Sequence, residues 1–326
     1  MTELFDTAFP PREPVIDGLL YSGTYLFVGA PKIGKSFLMA QLAFHVATGL
    51  PLWNYRVRKG AVLYLALEDN YARLQNRLSK MFDVESADDL YLSIWAETLN
   101  RGLGQQIEDF TQQHPDTRLI IVDTLQKIRE ATSESYSYAL DYAIVSSLKE
   151  FSDRLNICFM IVYHTRKMES GDSFDMISGT NGLLGAADGA FVLQKKKRTD
   201  NTATMAVVGR DQEDLELSLC FDRERCLWEL VRQETEPTKE PADEVVSKVA
   251  AFMEERDWWG GTATELLKQI PELKVKSNAL TRRLNVKVSE LYNDYGIIYR
   301  QRPRTGSERG FTLLHKFVDP DDRPEE

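Results

Sequence analysis

Two glycines, a lysine and a serine stand at the spacing that a phosphate-binding loop requires. The segment from Gly29 to Ser36 reads G-A-P-K-I-G-K-S and matches the pattern G-x-x-x-x-G-K-[ST]. Its glycines let backbone N–H groups approach phosphate oxygens, Lys35 can reach the β- and γ-phosphates, and the Ser36 hydroxyl can bind Mg²⁺. The sequence therefore predicts a site for a nucleoside triphosphate, with ATP and Mg²⁺ as cofactors. The predicted nucleotide-binding residues are Gly29, Ala30, Pro31, Lys32, Ile33, Gly34, Lys35, Ser36 and Phe37.

The segments on either side of this loop support the interpretation. Residues 25–28 (YLFV) are typical of a buried strand, and residues 35–48 have the composition of a helix. A helix that begins at the loop directs the positive end of its dipole toward bound phosphate. Strand, loop and helix in this order are the context in which the pattern binds nucleotides.

Two further predicted strands end in carboxylates. Residues 119–122 (LIIV) precede Asp123, which is typical of a Walker B motif that holds Mg²⁺ together with Ser36. The alternative is that Asp123 only caps its strand. Residues 61–67 precede Glu68 and Asp69, and the strand delivers Glu68 first, where a carboxylate can orient the attacking water as a general base. Here the alternative is that both acids are solvated or cap the next helix.

Strand-like runs alternate with helix-like stretches through the first two-thirds of the chain. Such alternation predicts an α/β fold with βαβ units and a largely parallel sheet, as in a RecA-like P-loop core. Close spacing of the last strands predicts an antiparallel extension of that sheet. The predicted strands are 25–28, 61–67, 90–95, 119–122, 157–163, 189–193, 202–208 and 215–221, and the predicted helices are 35–48, 72–81, 103–113 and 138–154.

The composition changes near residue 233 and divides the chain. Residues 1–232 form the predicted ATPase domain, and residues 233–241 (QETEPTKEP) read as a polar linker. In residues 242–318, three helical patterns followed by two strands around a basic turn predict a winged-helix-like domain, with helix caps expected at Thr262 and Ser277. Residues 319–326 form an acidic tail.

Composition excludes several classes of protein. No apolar run approaches the length of a membrane span, the N-terminus lacks a secretory pattern, and the three cysteines form no C-x-x-C pair, so we expect a cytoplasmic protein without a membrane partner. The formal net charge of −10 argues against a surface coated with nucleic acid. Residues 274–309, however, contain nine basic and three acidic residues, so any contact with nucleic acid must be local.

At this point the motifs, taken in order, resemble the RepA-like branch of the RecA/DnaB superfamily, the ring ATPases of plasmid and mobile-element replication. The resemblance covers residues 10–232. The motifs that carry it are IDGLL at 16–20, the phosphate loop at 29–36, LYLALED at 63–69, IVDTL at 121–125, YHTRK at 163–167, SGTNG at 178–182 and GRD at 209–211.

The resemblance implies further roles. Lys35 binds phosphate, Glu68 matches the catalytic glutamate, and Asp123 matches the Walker B aspartate. His164 matches the residue that senses the γ-phosphate, although it is otherwise an ordinary strand-end histidine. Arg210 matches an arginine finger that acts on the neighbouring subunit of a homo-oligomer, expected to be a hexamer; alternatively it is a surface arginine paired with Asp211. A primase or an initiator is a further expected partner.

Contacts with DNA are expected at two places. By analogy with the family, residues 168–189 line a ring channel for single-stranded DNA, with Arg166 and Lys167 at the edge of this loop. The loop itself contains no basic residue, which argues against efficient translocation. In the C-terminal domain, arginines on the third helix and on the hairpin favour duplex DNA, or else they are solvated around a protein contact. The arginines considered there are Arg282, Arg283, Arg302 and Arg304.

The favoured function is an ATP-hydrolysing DNA helicase that replicates a plasmid, phage or integrative element. The alternative is a DNA-binding ATPase, a loader or regulator, that does not unwind. A small-molecule kinase with the same loop is a third class, and it predicts an acceptor pocket and a lid. Stimulation of ATP hydrolysis by single-stranded DNA separates these classes.

Overall fold

The computed structural model describes residues 1–9, 11–129, 138–164, 181–197, 199–210, 212–233, 243–302 and 310–315. The chain divides into a large unit, Pro14–Thr238, and a small unit that joins Met1–Glu13 to Lys239–Glu326. The expected ATPase domain began at residue 1, so the first thirteen residues differ from that expectation. Most of the expected linker (234–241) and the acidic tail (319–326) lie outside the described residues.

The elements are numbered in chain order. The helices are α1 (Thr2–Phe5), α2 (Lys35–Thr48), α3 (Tyr71–Phe82), α4 (Leu103–Gln113), α5 (Tyr138–Leu155), α6 (Asn181–Ala186), α7 (Glu244–Met253), α8 (Ala263–Gln269), α9 (Ser277–Val286) and α10 (Val288–Tyr295). The strands are β1 (Pro14–Ile16), β2 (Leu20–Tyr21), β3 (Gly23–Gly29), β4 (Ala61–Ala66), β5 (Leu90–Ser93), β6 (Thr117–Asp123), β7 (Cys158–His164), β8 (Gly189–Gln194), β9 (Thr202–Gly209), β10 (Gln212–Asp222), β11 (Leu227–Gln233), β12 (Trp258–Thr262), β13 (Ile297–Gln301) and β14 (Gly310–His315).

A nine-stranded sheet in the order β11-β10-β9-β8-β3-β7-β6-β4-β5 forms the centre of the large unit. The six strands from β8 to β5 in this order are parallel, and β9, β10 and β11 extend the sheet in antiparallel fashion. This arrangement confirms the predicted α/β class, the largely parallel sheet and its antiparallel extension.

Both faces of the central strands are covered, which explains why these strands are apolar throughout. Tyr25 and Phe27 point to the face that α2 and α3 cover, whereas Leu26 and Val28 point to the face that α4, α5 and α6 cover. Side chains alternate along a strand, so a sheet buried on both faces requires a continuous apolar run. The eight predicted strands and four predicted helices are all present, with shifts of up to three residues at their ends.

Among the strands of the described residues, four were not predicted. β1 and β2 are three and two residues long, too short for a periodic signal. β11 reads LWELVRQ and exposes polar residues at the edge of the sheet, so its composition does not stand out from the linker that follows. β12 (WWGGT) contains two glycines, which are unusual within a strand.

In the small unit, helices surround a three-stranded antiparallel sheet in the order β12-β14-β13. Its separate core is built from apolar side chains of α7 to α10 and of the three strands. The predicted cap at Thr262 is confirmed: its hydroxyl accepts the Glu265 N–H at 3.3 Å, and Glu265 Oε2 accepts the Thr262 N–H at 2.7 Å. This reciprocal pair satisfies two N–H groups that a helix start leaves open.

The third predicted helix of this unit is two helices in the structure, α9 and α10, which meet at Lys287. Apolar periodicity continues across the break, so the pattern alone could not reveal it. The predicted cap at Ser277 is wrong, because Ser277 is already helical and Lys276 occupies the cap position without a side-chain bond.

Helix α1 and the residues after it pack against α9, and this explains why Met1–Glu13 belong to the small unit. Asp6 Oδ1 lies 2.9 Å from Arg282 Nε, and Asn285 Nδ2 donates to the Phe5 carbonyl at 2.8 Å. Gln301 Nε2 donates to the Asp6 carbonyl at 3.0 Å. The N-terminal residues thus satisfy polar groups of α9 and β13.

Candidate nucleotide site

Four parallel strands bring the predicted site residues to one edge of the sheet. β3 ends at Gly29 before the phosphate loop, β4 ends two residues before Glu68, β6 ends at Asp123, and β7 ends at His164. Because β3 pairs with β7, β7 with β6, and β6 with β4, these ends are neighbours. The carboxyl edge of a parallel sheet is where ligands bind in open α/β folds.

The two glycines of the loop occupy positions that no larger residue fits. A Cβ on Gly29 would lie 2.6 Å from Ile33 Cδ1 and 2.7 Å from the Leu193 carbonyl oxygen. Gly34 has φ +101°, a conformation that favours glycine, and a Cβ there would lie 3.0 Å from the Trp228 ring. The loop backbone is therefore packed closely between strand β8 and the indole of β11.

Trp228 supports the loop from the antiparallel end of the sheet. It is fully buried, and its indole Nε1 donates to the Gly34 carbonyl at 3.1 Å. Gln41 on α2 accepts the Trp228 N–H at 2.9 Å and donates to its carbonyl at 3.0 Å, and Trp53 Nε1 donates to that carbonyl at 2.7 Å. These bonds tie the loop and α2 to β11.

Lys35 brings a buried charge to the site. Only 3% of it is exposed, and its Nζ donates to the carbonyls of Gly29 at 2.8 Å and Ala30 at 2.9 Å. Burial lowers the pKa of Lys35 to about 8, while the charges of Asp123 and Glu68 act in the opposite direction. An anion bound in this loop would stabilise the protonated amine.

Asp123 is buried beside the first turn of α2. Tyr64 donates its hydroxyl to Asp123 Oδ2 at 3.0 Å, and that hydroxyl lies 3.5 Å from the Ser36 carbonyl oxygen. Burial raises the pKa of Asp123, and hydrogen bonds from the Ser36 and Tyr64 side chains oppose the rise. The structure therefore places a hydroxyl and a carboxylate side by side, as a Mg²⁺ site beside a phosphate loop requires.

The side chain of Glu68 is 48% exposed and lies near the charges of Asp123 and Lys35. Thr124 donates its hydroxyl to Glu68 Oε1 at 3.2 Å, and His164 Nε2 lies 3.7 Å from Glu68 Oε2. The Leu67 N–H donates to the Asp123 carbonyl at 2.8 Å, which joins the two carboxylate-bearing segments. Glu68 thus faces the same space as Lys35 and Asp123.

Asp69 is engaged elsewhere. Its carboxylate lies 2.8 Å from Arg73 Nε and 2.7 Å from Arg77 Nη1, both on α3. Asn70, and not Asp69, caps α3 by accepting the Arg73 N–H. Of the two acids that follow β4, only Glu68 is therefore available to the site.

The surroundings of His164 lower the pKa of its imidazole. Burial lowers its pKa, the charge of Lys35 lowers it further, and Glu68 and Asp123 oppose these effects. Among the described residues its Nδ1 is buried without a hydrogen-bond partner. An imidazole beside Glu68 can respond to a change of charge in the site.

Arg210 lies at the opposite side of the sheet from the phosphate loop, where the parallel strands begin. It follows β9, whose Gly209 pairs with Gly189 at the start of β8, whereas the phosphate loop follows the end of β3 beside Leu193. The exposed Arg210 donates its N–H to the Asp188 carbonyl at 2.9 Å and its guanidinium to the Gly185 carbonyl. The structure therefore does not bring Arg210 to the Lys35 loop of its own chain. Asp211, its alternative partner, lies outside the described residues.

The predicted DNA contacts are only partly described. Arg166, Lys167 and Arg304 lie outside the described residues, as does most of the expected channel loop, residues 168–180. Arg283, on the exposed face of α9, is 2.7 Å from Asp243 Oδ2, and Arg282 pairs with Asp6. Arg302 stacks 5.8 Å above the Trp258 ring. Both helix arginines are thus paired with carboxylates of the small unit, whereas the sequence predicted contacts with duplex DNA or, as the alternative, solvated side chains.

The sequence did not reveal three residues at the site: Tyr64, Thr124 and Trp228. Tyr64 and Thr124 carry hydroxyl groups among mostly apolar neighbours in the sequence, and this difference in polarity was the available signal. Trp228 belongs to the strand that was not predicted. All three act through partners that are distant in the chain, so local patterns carry little information about them.

The donor set fits ATP with Mg²⁺. A buried ammonium, a loop whose glycines allow close approach of its backbone, and a serine hydroxyl beside a buried carboxylate match the needs of a polyphosphate and its metal. The described residues contain no group of three or more His, Cys, Asp or Glu that could hold a metal by itself. A phosphate-bound Mg²⁺ does not need such a group, because phosphates and waters supply most of its ligands. In the described part of the chain, no helix has the length and apolarity that crossing a membrane requires.

Solved structures with similar folds include an ATPase domain and a replicative helicase. The ATPase domain matches with a TM-score of 0.53 and 14% identity over 65% of this chain and 85% of its own. A DnaB-like replicative helicase, described with its interactions with primase, matches with a TM-score of 0.53 and 14% identity. The match covers 64% of this chain and 57% of the helicase chain. A KaiC-like protein from Pyrococcus horikoshii matches with a TM-score of 0.49 and 12% identity, over 69% of this chain and 99% of its own. No curated protein matches by sequence.

The two matches with TM-scores of 0.53 confirm a RecA-like α/β fold, in agreement with the strand order and the position of the phosphate loop. The sequence comparison extends over half of the chain, since the family described as AAA domain matches residues 1–170. The matched segment contains the phosphate loop, Glu68, Asp123 and His164. The chain therefore belongs to the AAA domain family of P-loop ATPases.

Proposed function

We propose that this protein is an ATP-driven DNA helicase of the RepA-like type that works as a ring, expected to be a hexamer, in the cytoplasm. The observation that carries the proposal is the pair of Glu68 and Asp123 beside Lys35 at one sheet edge, with Arg210 at the opposite edge. One chain then contains the hydrolytic groups but needs a second copy to complete the charge around the γ-phosphate.

The residues at the carboxyl edge divide the work. Lys35 and the loop N–H groups would hold the β- and γ-phosphates, and Ser36 and Asp123 would hold Mg²⁺. Bound Mg²⁺ neutralises charge on the phosphates. Glu68 orients water for in-line attack and accepts its proton while the bond to the leaving oxygen breaks. His164, at the end of β7, reports the state of the site to the residues that follow.

Likeness of fold supports the helicase class. The DnaB-like replicative helicase is described with primase, and we extend that association to this chain, with a primase or an initiator as partner. Single-stranded DNA is the proposed ligand of the ring channel. Replication of a plasmid, phage or integrative element is the proposed setting.

The small unit is proposed to be a winged helix that contacts duplex DNA. Its helix–strand–helix order, followed by α9, α10 and the β13–β14 hairpin, supports this assignment. The arginines of α9 would contact phosphates, which position a protein without reading sequence. The alternative is a protein-binding winged helix, in which the same arginines serve only their ion pairs.

The alternative function is a loader or regulator that hydrolyses ATP on DNA without unwinding it. The absence of basic residues from the sequence of the predicted channel loop favours this alternative. A small-molecule kinase is the third class, and the carboxylate that faces the loop argues for water as the acceptor.

Unwinding of a forked duplex tests the proposed function. We expect ATP hydrolysis to rise about tenfold or more with single-stranded DNA, and ATP with Mg²⁺ to separate the fork. Lys35→Ala should abolish both activities, whereas Lys80→Ala, at an exposed position on α3, should change neither. Stimulation without strand separation would favour the loader, and turnover by a monomer that ignores DNA would favour a kinase.

Mixing variants tests the role of Arg210. Arg210→Ala alone should lower kcat by about 10³-fold or more, because charge on the γ-phosphate loses its partner. Lys35→Ala subunits are inactive but retain Arg210, so mixing the two variants should restore part of the activity. Rescue should be greatest at intermediate ratios. If no ratio restores hydrolysis while the two variants still form mixed assemblies, Arg210 does not act across an interface.

Tyr64→Phe tests how Asp123 is held for Mg²⁺. The change removes one hydroxyl that donates to a buried carboxylate and leaves the ring in place. A hydrogen bond to a charged group contributes about 1.5–3 kcal/mol, so we expect the Mg²⁺ concentration for half-maximal hydrolysis to rise about 10- to 100-fold. ATP binding without Mg²⁺ should stay unchanged. Tyr55→Phe is the matched control, since it also loses one hydrogen bond, to Gln233, away from the site. Equal Mg²⁺ dependence of both variants would contradict the assignment.

Salt-dependent binding of duplex DNA tests α9. Arg283→Ala should weaken binding and reduce the slope of log K against log salt by about one, the loss expected for one phosphate contact. Asp6→Asn removes the carboxylate that pairs with Arg282 and should strengthen binding severalfold at low salt. Arg256→Ala, at an exposed arginine of the same unit, is the control. If all three variants bind duplex DNA like the unchanged protein, the small unit serves a protein contact.

A further inference from the structure

Thr124 follows Asp123 directly, and its side chain is used in an unusual way. It stands at the N-cap position of the short 3₁₀ turn Leu125–Ile128, where a threonine hydroxyl ordinarily accepts a backbone N–H of the turn. No such cap bond forms. The hydroxyl instead donates to Glu68 Oε1 at 3.2 Å, across 56 residues of sequence.

The side chains of Thr124 and Glu68 differ strongly in conformational freedom. Thr124 is fully buried, and the turn that follows it is fixed because Leu125 and Ile128 are buried in the core. Glu68 is 48% exposed and follows the end of its strand. An exposed glutamate samples several rotamers, and a buried hydroxyl bonded to one of its oxygens removes that freedom.

The bond also separates the roles of the two carboxylate oxygens. Thr124 engages Oε1, and Oε2 is left on the side of His164, at 3.7 Å. A general base needs one oxygen directed at its water, and misplacement by about 1 Å can cost about 100-fold in rate. The Thr124 hydroxyl fixes which oxygen that is.

We propose that Thr124 is a positioning residue that directs Glu68 Oε2 at the attacking water. This inference rests on the proposed ATP hydrolysis and is independent of DNA unwinding. Thr124 itself touches neither nucleotide nor metal in this proposal. Its effect on catalysis passes through Glu68 alone, and this is the property that an experiment can isolate.

The test compares Thr124→Val, which keeps the shape of the side chain and loses the donor, with Thr124→Ser, which keeps the donor. We expect Val to lower kcat for basal ATP hydrolysis about 10- to 100-fold, and Ser to stay within about threefold of the unchanged protein. Affinity for ATP should stay within about twofold in both variants, since Lys35 and the loop are untouched. Thr111→Val, in which a threonine of α4 loses its bond to the Glu108 carbonyl, is the matched control and should hydrolyse normally.

A double-mutant cycle with Glu68→Gln makes the test specific. If Thr124 acts through Glu68, Val should add less than about threefold to the defect of Glu68→Gln. A full additional loss in that background would overturn the proposal, as would normal kcat in Thr124→Val or an equal defect in Thr124→Ser. Should Thr124→Val unfold, Thr124→Ala replaces it in the same cycle, with thermal unfolding measured for each variant.

Failure of the inference and failure of the proposed function give different results. Slow Glu68→Gln with fast Thr124→Val rejects only the positioning role. Normal hydrolysis by Glu68→Gln rejects the assignment of the general base, and the positioning role with it.

Discussion

The buried ammonium of Lys35 is the charge on which the rest of the site depends. Removing a charge from water is costly unless opposite charge or hydrogen bonds compensate, and the carbonyls of Gly29 and Ala30 do so only in part. The lowered pKa of Lys35, about 8, expresses the deficit. Asp123 and Glu68 oppose it from neighbouring strands, yet both have other hydrogen-bond donors. The negative charge of the proposed ligand, a polyphosphate with Mg²⁺, would complete this balance.

The parallel sheet meets this requirement because it gathers distant segments at one edge. Strand ends that are far apart in sequence become neighbours through pairing of β3 with β7, β7 with β6, and β6 with β4. Support then comes from behind the edge: Tyr64 holds Asp123, Thr124 holds Glu68, and Trp228 holds the loop. Tyr64, Thr124 and Trp228 are fully buried, so the residues that support the site are held by packing.

Local sequence patterns predicted the phosphate loop, Glu68 and Asp123. The phosphate loop is a continuous pattern, and Glu68 and Asp123 each close an apolar run, so strand ends predicted their edge of the sheet. The supporting residues escaped because their partners lie far away: 59 residues separate Tyr64 from Asp123, and 194 separate Trp228 from Gly34. The same limit applies to residues 1–13, whose place in the small unit depends on Arg282, Asn285 and Gln301 at the other end of the chain.

The opposite placement of Lys35 and Arg210 along the strands is what the proposed action of Arg210 on a neighbouring copy requires. Lys35 lies at the carboxyl ends of the parallel strands. Arg210 follows an antiparallel strand that ends at the amino ends of the parallel strands, so this cation lies away from the phosphate loop of its own chain. Contact between unlike ends of the strands of two copies would be a heterologous interface, and repeats of such an interface form a ring when the rotation between neighbours closes. Hydrolysis that needs both edges would then proceed only where neighbours meet. Assembly and catalysis would share one contact, which gives each subunit a way to time its turnover by the position of the next.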